Sequence, residues 1–311
     1  MRLSHLAAAL LLTACATPSL DDPPAATRPA ASCKVERAAV LPVRFVQGTV
    51  LIPATINATP VQLVVDSGAM LSMLLPDAAA RLGLPSDTHR QTKLLGTGGD
   101  VTTRNVTVRD LDIGGRSWLG ESIATGSLPR IFQETPPVSG LLGSDYLGVF
   151  DVELDLPNRS MILWDVSNCS GDFIPWTQPH FVVPLHTFER RHMAATVEFE
   201  GHPVTALIDW GARTTMMTAE TAERLGVTAE TLAHDPVGTS RGVDQHATTV
   251  HLHEFADLRI GAEKFRKVRI SVGPLTLHDS GMLLGIDYAS TRRIWLSYNS
   301  RQMFVARKAA P

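Results

Sequence analysis

The sequence predicts an all-β chain made of two tandem lobes, each carrying one short helix. Three observations lead to this. The chain has 311 residues, 44% of them hydrophobic, enough for one large domain or two modest ones, each with its own core. Gly and Pro are plentiful, at 23 and 20, and long amphipathic helical patterns are few, so short strands joined by turns are expected. Finally, one stretch recurs. VQLVVDSGAMLSMLLPDAAARLGL starts at Val61 and VTALIDWGARTTMMTAETAERLGV at Val204, so Asp66 matches Asp209 at an offset of 143 (209 − 66).

The recurrence extends in both directions. Asp110-Leu111-Asp112-Ile113-Gly114 pairs with Asp257-Leu258-Arg259-Ile260-Gly261, and Leu141-Leu142-Gly143-Ser144-Asp145-Tyr146 with Leu283-Leu284-Gly285-Ile286-Asp287-Tyr288. Upstream, Ala54-Thr55-Ile56 echoes Ala195-Thr196-Val197. Separated blocks in one order at nearly one offset mean two copies of one unit. The Gly- and Pro-containing stretch SGDFIPWTQP marks the seam. The expected organisation is a leader over 1–15, a flexible tether over 16–36, a lobe over 37–168, a linker over 169–180 and a second lobe over 181–307.

The leader has Arg2 before a short apolar run, Leu6 to Leu12, and then Leu12-Thr13-Ala14-Cys15. That ending resembles the lipobox of bacterial lipoproteins, which implies lipidation of Cys15 and a mature chain beginning there. The other reading is an ordinary secretory signal with an incidental Cys. The apolar run is shorter than the roughly 20 residues a spanning helix needs. Ala16 rather than Asp after the Cys resembles outer-membrane sorting, so the expected place is the periplasmic side of the envelope. The Ala-, Thr- and Pro-rich tether cannot build a core. With Cys15 lipidated, Cys33 and Cys169 remain. In an oxidising compartment they either pair or stay as two thiols.

Within each copy an apolar strand, Val61 to Val65 or Val204 to Ile208, runs straight into Asp-x-Gly. A short helix follows. Pro76 suits its first position and Gly83 its end in the first copy, while Thr218 suits the N-cap and Gly226 the end in the second. Next comes a glycine-containing hairpin, at Gly96, Thr97, Gly98 and Gly99 or at Gly238, Thr239 and onward to Gly242. Further strands lead to Leu-Leu-Gly, and a last hairpin turns at Pro157-Asn158 or Asn299-Ser300.

The strand ending in Asp66-Ser67-Gly68-Ala69, the Gly-rich hairpin and the later Leu-Leu-Gly-Ser-Asp-Tyr-Leu together resemble one lobe of a bacterial retropepsin-like aspartic protease. Both copies carry the set, so the resemblance covers nearly everything after residue 40. It implies two β-barrel lobes in a bilobal, pepsin-like arrangement, with Asp66 and Asp209 meeting between them as a catalytic dyad. Two facing carboxylates cannot both ionise; one activates water and the other donates a proton. It also implies hairpin tips that close as flaps over a peptide or protein substrate, no cofactor, and no need of a second chain. The second motif, Asp209-Trp210-Gly211-Ala212, departs from the family, which carries Thr or Ser where Trp210 stands. Trp offers one N–H donor and no acceptor. Ser67 can still bond toward the second loop, but the reciprocal bond is lost. The dyad is then either half-locked or distorted and inactive.

Other functions find little support. A net charge of −3 with signs interspersed lacks the basic footprint of a nucleic-acid binder. No Lys-Ser/Thr follows Gly96 to Gly99, which argues against a phosphate loop. His251 and His253 share a strand face but lack a placed third ligand, so a solvated face is expected and no metal. Asp145 and Asp287 are expected to cap the helical turn after Leu-Leu-Gly. Trp118, Trp164, Trp176 and Trp295 are expected in the core or against the linker.

Overall fold

The computed structural model describes residues 32–96, 99–128, 134–188, 192–241, 247–277 and 279–307. The leader, Cys15 and most of the expected tether lie outside these residues, as do Thr97, Gly98 and Gly242. The molecule is mostly β, in keeping with its supply of β-branched and aromatic residues between Gly and Pro turns.

The first lobe runs β1 (Lys34–Pro42), β2 (Arg44–Val46), β3 (Thr49–Ile56), β4 (Thr59–Val65), β5 (Met73–Leu74) and α1 (Pro76–Arg81). It continues with β6 (Ser86–Gly96), β7 (Gly99–Ile113), β8 (Arg116–Thr125), β9 (Val138–Leu142), α2 (Ser144–Leu147), β10 (Asp151–Asp155) and β11 (Ser160–Ser167). Its strands close into a ring of six, β3-β4-β9-β5-β8-β7, with β7 returning to β3 at Thr55↔Asp112 and Ile56↔Leu111. Burial explains the closure: Val50, Ile52, Ile56, Val61, Leu63, Val65, Val108 and Leu111 all turn their side chains into one apolar core.

The second lobe repeats the plan with β12 (His180–Phe188), β13 (His192–Phe199), β14 (His202–Ile208), β15 (Met216–Thr218), α3 (Ala219–Arg224) and α4 (Ala229–Leu232). After these come β16 (Val237–Arg241), β17 (Ala247–Ile260), β18 (Glu263–Gly273), β19 (Met282–Leu284), α5 (Ile286–Ala289), β20 (Arg293–Ser297) and β21 (Gln302–Ala306). The ring is β13-β14-β19-β15-β18-β17, closed at Glu198↔Arg259 and Phe199↔Leu258.

A third sheet region joins the lobes, with order β1-β11-β10-β20-β21-β12. Its middle pairing, β10 with β20, crosses between them at Val152↔Leu296, Glu153↔Trp295 and Leu154↔Ile294. Alternation along β10 sends Val152 and Leu154 into the main core and Asp151 and Glu153 to the other face. There the buried carboxylates are satisfied by indoles and a guanidinium. Trp295 Nε1 donates to Asp151 Oδ2 at 3.0 Å, Trp164 Nε1 to Glu153 Oε2 at 3.1 Å, and Arg293 pairs with Glu153 at 2.7 Å. Trp164 and Trp295 stack at 4.8 Å, and Ile174 and Trp176 of the linker cover them. Trp118 packs edge-on against Tyr146 and Phe150 in the first lobe.

Several local expectations need correction. Among the described residues five short helices form, not one per lobe. Beyond the expected α1 and α3, α2 and α5 are single turns after Leu-Leu-Gly, and Thr228 caps α4 through the Thr231 N–H. Pro76 does open α1, and the Thr218 hydroxyl does cap α3. The expected second hairpin tip is wrong: Gly238 and Thr239 are inside β16, paired with Val250 and Thr249. Glycine is tolerated in a strand as well as in a turn, and the last described pair of the β16–β17 ladder is Arg241↔Ala247. Asp145 and Asp287 do not cap; the N-cap positions are Gly143 and Gly285. His253 is not merely solvated, since its Nδ1 bonds Asp235 Oδ2 at 2.7 Å, and His251 Nδ1 is buried without a partner. Finally, β1 starts at Lys34, ahead of the expected lobe boundary, because Cys33 is bonded to Cys169 in a disulfide with Cα atoms 4.5 Å apart. The bridge fixes the start of β1 beside the end of β11.

Candidate active site between the lobes

β4 and β14 deliver Asp66 and Asp209 to one place. Each strand ends in the parallel ladder with the Leu-Leu-Gly strand of its own lobe: Asp66 N–H donates to Leu142 O, and Asp209 N–H to Leu284 O, both at 3.0 Å. The chain then turns tightly over its own aspartate. Gly68 and Ala69 N–H groups donate to Asp66 Oδ1 at 3.1 and 2.9 Å, and Gly211 and Ala212 N–H groups donate to Asp209 Oδ1, both at 2.9 Å.

The two turns lie face to face. A Cβ added to Gly68 would sit 2.4 Å from Asp209 Cγ, and one added to Gly211 would sit 2.2 Å from Asp66 Cγ. Glycine is required here by the opposing carboxyl group. Each carboxyl group therefore lies against the turn that carries the other, and each acts on the other's proton affinity. Both side chains are half-buried. Burial pushes the Asp66 carboxyl well above its ordinary range, and the charge of Asp209 pushes the same way. Burial also raises Asp209, against the pull of the Ala212 and Gly211 N–H groups. The pair therefore retains a proton at pH values where exposed carboxyls have lost theirs.

One hydroxyl ties the turns together. Ser67, buried, donates to Ile208 O at 2.8 Å and accepts from Trp210 N–H at 3.0 Å, so its oxygen bridges to the second loop at two points. Trp210 has left the corresponding position. Its side chain is only 2% exposed and belongs to the main apolar core. The interface keeps one half of a reciprocal bridge and gains a buried indole.

Behind each turn stands a second clamp that the sequence reading missed. Ser72 donates from its N–H and its Oγ to Asp145, at 2.9 and 2.7 Å, and its Oγ accepts from Gly143 N–H at 2.8 Å. Thr215 does the same toward Asp287, at 2.8 and 2.7 Å, and accepts from Gly285 N–H at 3.1 Å. These clamps give Asp145 and Asp287 a structural role: they hold the aspartate turn against the Leu-Leu-Gly strand. The signal available was the recurrence of Ser72 and Thr215 at the Asp66-to-Asp209 offset.

Of the expected flap residues, Gly96 and Gly99 face each other as the last described pair of the β6–β7 hairpin. Gly238 and Thr239 stand in a strand, as described above. Among the described residues no group of three or more His, Cys, Asp or Glu is arranged to hold a metal ion.

Two family models match the chain. Residues 52–146 match an aspartyl protease model, and residues 195–290 match a gag-polyprotein putative aspartyl protease model. Each match takes in one Asp-x-Gly turn and one Leu-Leu-Gly strand. A search of curated proteins finds no match. The chain carries two aspartyl-protease, retropepsin-like domains in tandem.

Proposed function

We propose that the two aspartyl-protease domains act as one aspartic endopeptidase, with Asp66 and Asp209 as its dyad. The observation that carries this reading is the apposition of the two carboxyl groups, one from each domain, at facing turns that admit only glycine. In the reading, Asp66 holds the shared proton and donates it to the scissile carbonyl oxygen. Ionised Asp209 takes a proton from the attacking water, and the tetrahedral intermediate then collapses with expulsion of the amine. Gly68, Ala69, Gly211 and Ala212 orient the carboxyl groups through their N–H donors. The extended substrate lies under the β6–β7 and β16–β17 hairpins, bonding through its backbone.

The test is hydrolysis of an unbiased peptide library across pH. Asp66→Asn and Asp209→Asn each lower turnover about 100- to 10,000-fold, since neither carboxyl can play both parts. Activity favours mildly acidic pH, where one proton is shared. A second reading, a peptide-binding protein without catalysis, is favoured by the single observation that Trp210 replaces the second hydroxyl. Peptide binding with no cleavage, by both wild type and Trp210→Thr, would establish it.

We also propose that the leader directs the chain to the envelope and that lipid on Cys15 anchors it there, on the periplasmic side of the outer membrane. The Cys33–Cys169 disulfide supports an oxidising compartment. Fractionation of wild type and Cys15→Ser tests the anchor: release of the variant from the membrane is the expected result.

A further inference from the structure

The first lobe contains a polar cavity. It measures about 220 Å³ and is lined by Ser72 and Leu71 from the Asp66 turn, Thr92 and Asn105 from the hairpin strands, and Trp118, Glu121, Ser122, Asp145 and Tyr146. It therefore lies beside the aspartate turn and against the strands that carry the hairpin. That volume is below the roughly 300–1,000 Å³ of a drug-sized site and suits one side chain.

The second lobe shows which lining residues are particular to the first. β7–β8 pairs Val108 with Glu121 and Asn105 with Ala124; β17–β18 pairs Phe255 with Val268 and Leu252 with Ser271. The same offset of 147 (257 − 110, 268 − 121, 252 − 105) relates these positions. Glu121 thus stands where the second lobe has Val268, and Asn105 where it has Leu252. Asp145 and Tyr146 recur as Asp287 and Tyr288, and Tyr288 also donates to a carboxylate, Glu263 Oε2 at 3.0 Å, but Arg292 already pairs with that carboxylate at 3.2 Å. Asn105, buried, is held by its donation to Ser122 and by the Thr92 hydroxyl. Tyr146 donates its hydroxyl to Glu121 Oε2 at 2.8 Å. Among the described residues no Lys, Arg or His forms an ion pair with Glu121. The carboxylates of Glu121 and Asp145 and the indole of Trp118 form a lining that attracts cations.

We infer that this cavity is a specificity pocket that takes a basic side chain, Lys or Arg, of the bound peptide, with Glu121 as its charge partner. The inference rests on the peptidase reading for its substrate.

The test compares peptides that differ only in Lys or Met at each position. Wild-type kcat/KM should favour Lys at one position, on one side of the scissile bond, by about 10- to 100-fold, the worth of a hydrogen bond to a charged group. Glu121→Gln should bring that ratio close to one, and Glu121→Lys should turn it toward Glu. The charge reversal is a readout that a merely structural role of Glu121 would not produce. Fluorescence anisotropy of the same peptides on Asp209→Asn gives the preference without cleavage. Binding that favours Lys, with no hydrolysis by wild type, would sink the peptidase reading and keep the pocket. Hydrolysis with no basic preference, or an unchanged ratio in Glu121→Gln, would overturn the pocket and keep the peptidase.

Discussion

Ser67→Ala removes one oxygen and strands two buried backbone groups. The Ser67 hydroxyl accepts from Trp210 N–H at 3.0 Å and donates to Ile208 O at 2.8 Å, and the side chain is 1% exposed. A buried donor or acceptor left without a partner costs about 1–3 kcal/mol. Two of them, partly relieved by local relaxation, should cost about 2–4 kcal/mol. At about 2–4 °C per kcal/mol for chains of 150–250 residues, the melting temperature should fall by about 5–15 °C. Guanidinium unfolding followed by tryptophan fluorescence, with calorimetry beside it, measures both. Ser67→Thr keeps the hydroxyl and should lose less than half as much. Because the same oxygen seats the turn that aims Asp209, Ser67→Ala should also slow hydrolysis by about 100-fold, the scale of a 1 Å misplacement. A Ser67→Ala protein within 0.5 kcal/mol of wild type would refute the bridge as a joint between the lobes.

Four further outcomes follow from the geometry. Asp66 and Asp209 are raised in the fold, so their contribution to stability is present below the unfolded carboxyl pKa and is lost as pH rises through the folded values; Asp66→Asn should therefore stabilise at pH 7 and lose that advantage as pH falls toward 3. Gly68→Ala or Gly211→Ala forces a methyl against the opposite carboxyl and should abolish turnover while costing several kcal/mol, read by the same unfolding assay. Reduction of Cys33–Cys169, or Cys169→Ser, should lower stability by at most about 5 kcal/mol, the chain-entropy limit for its sequence separation of 136. Trp210→Thr should lower stability by about 3–5 kcal/mol through the lost buried ring yet keep or raise hydrolysis, and a fall in activity at equal foldedness would count against a supporting hydroxyl at this place.

What could be read from the chain was whatever recurs or has local grammar. Asp66 and Asp209 stood out because each ends an apolar strand in the same context, and Pro76 and Thr218 marked helix starts through preferences confined to one turn. The Ser72–Asp145 and Thr215–Asp287 clamps recur too, at offsets of 143 (215 − 72) and 142 (287 − 145), but they have no local grammar: their partners are 73 and 72 residues apart, and a Ser or Thr carries no sign of which distant acceptor it meets. The second hairpin was misplaced although a signal existed. The offset between matching blocks grows from 143 at Asp66 to 147 at Asp110 (257 − 110), so four extra residues fall in between, and Gly238 and Thr239 come to stand in the strand before the tip. The β10–β20 pairing that joins the lobes was not readable either. It is set by Asp151 and Glu153 finding Trp295 and Arg293 across the interface, a choice made among side chains more than a hundred residues apart.

The difference between Ser67 and Trp210 follows from having both lobes in one chain. In a pair of identical chains, every change in the Asp-x-Gly turn is made twice, once on each side of the interface. A Trp in that turn would remove both hydroxyl bridges at once and bring two indoles to a joint where a single added Cβ already meets the opposite carboxyl group. With the lobes covalently joined, the two turns vary separately. Ser67 retains two contacts with the second loop, while the indole of Trp210 buries its surface in the core. Burying an aromatic side chain stabilises by roughly 2–3 kcal/mol, comparable to the lost hydroxyl bond at about 0.5–1.5 kcal/mol. The exchange therefore need not weaken the joint. What it removes is the equivalence of the two turns, and with that equivalence goes any requirement that Asp66 and Asp209 share the proton evenly.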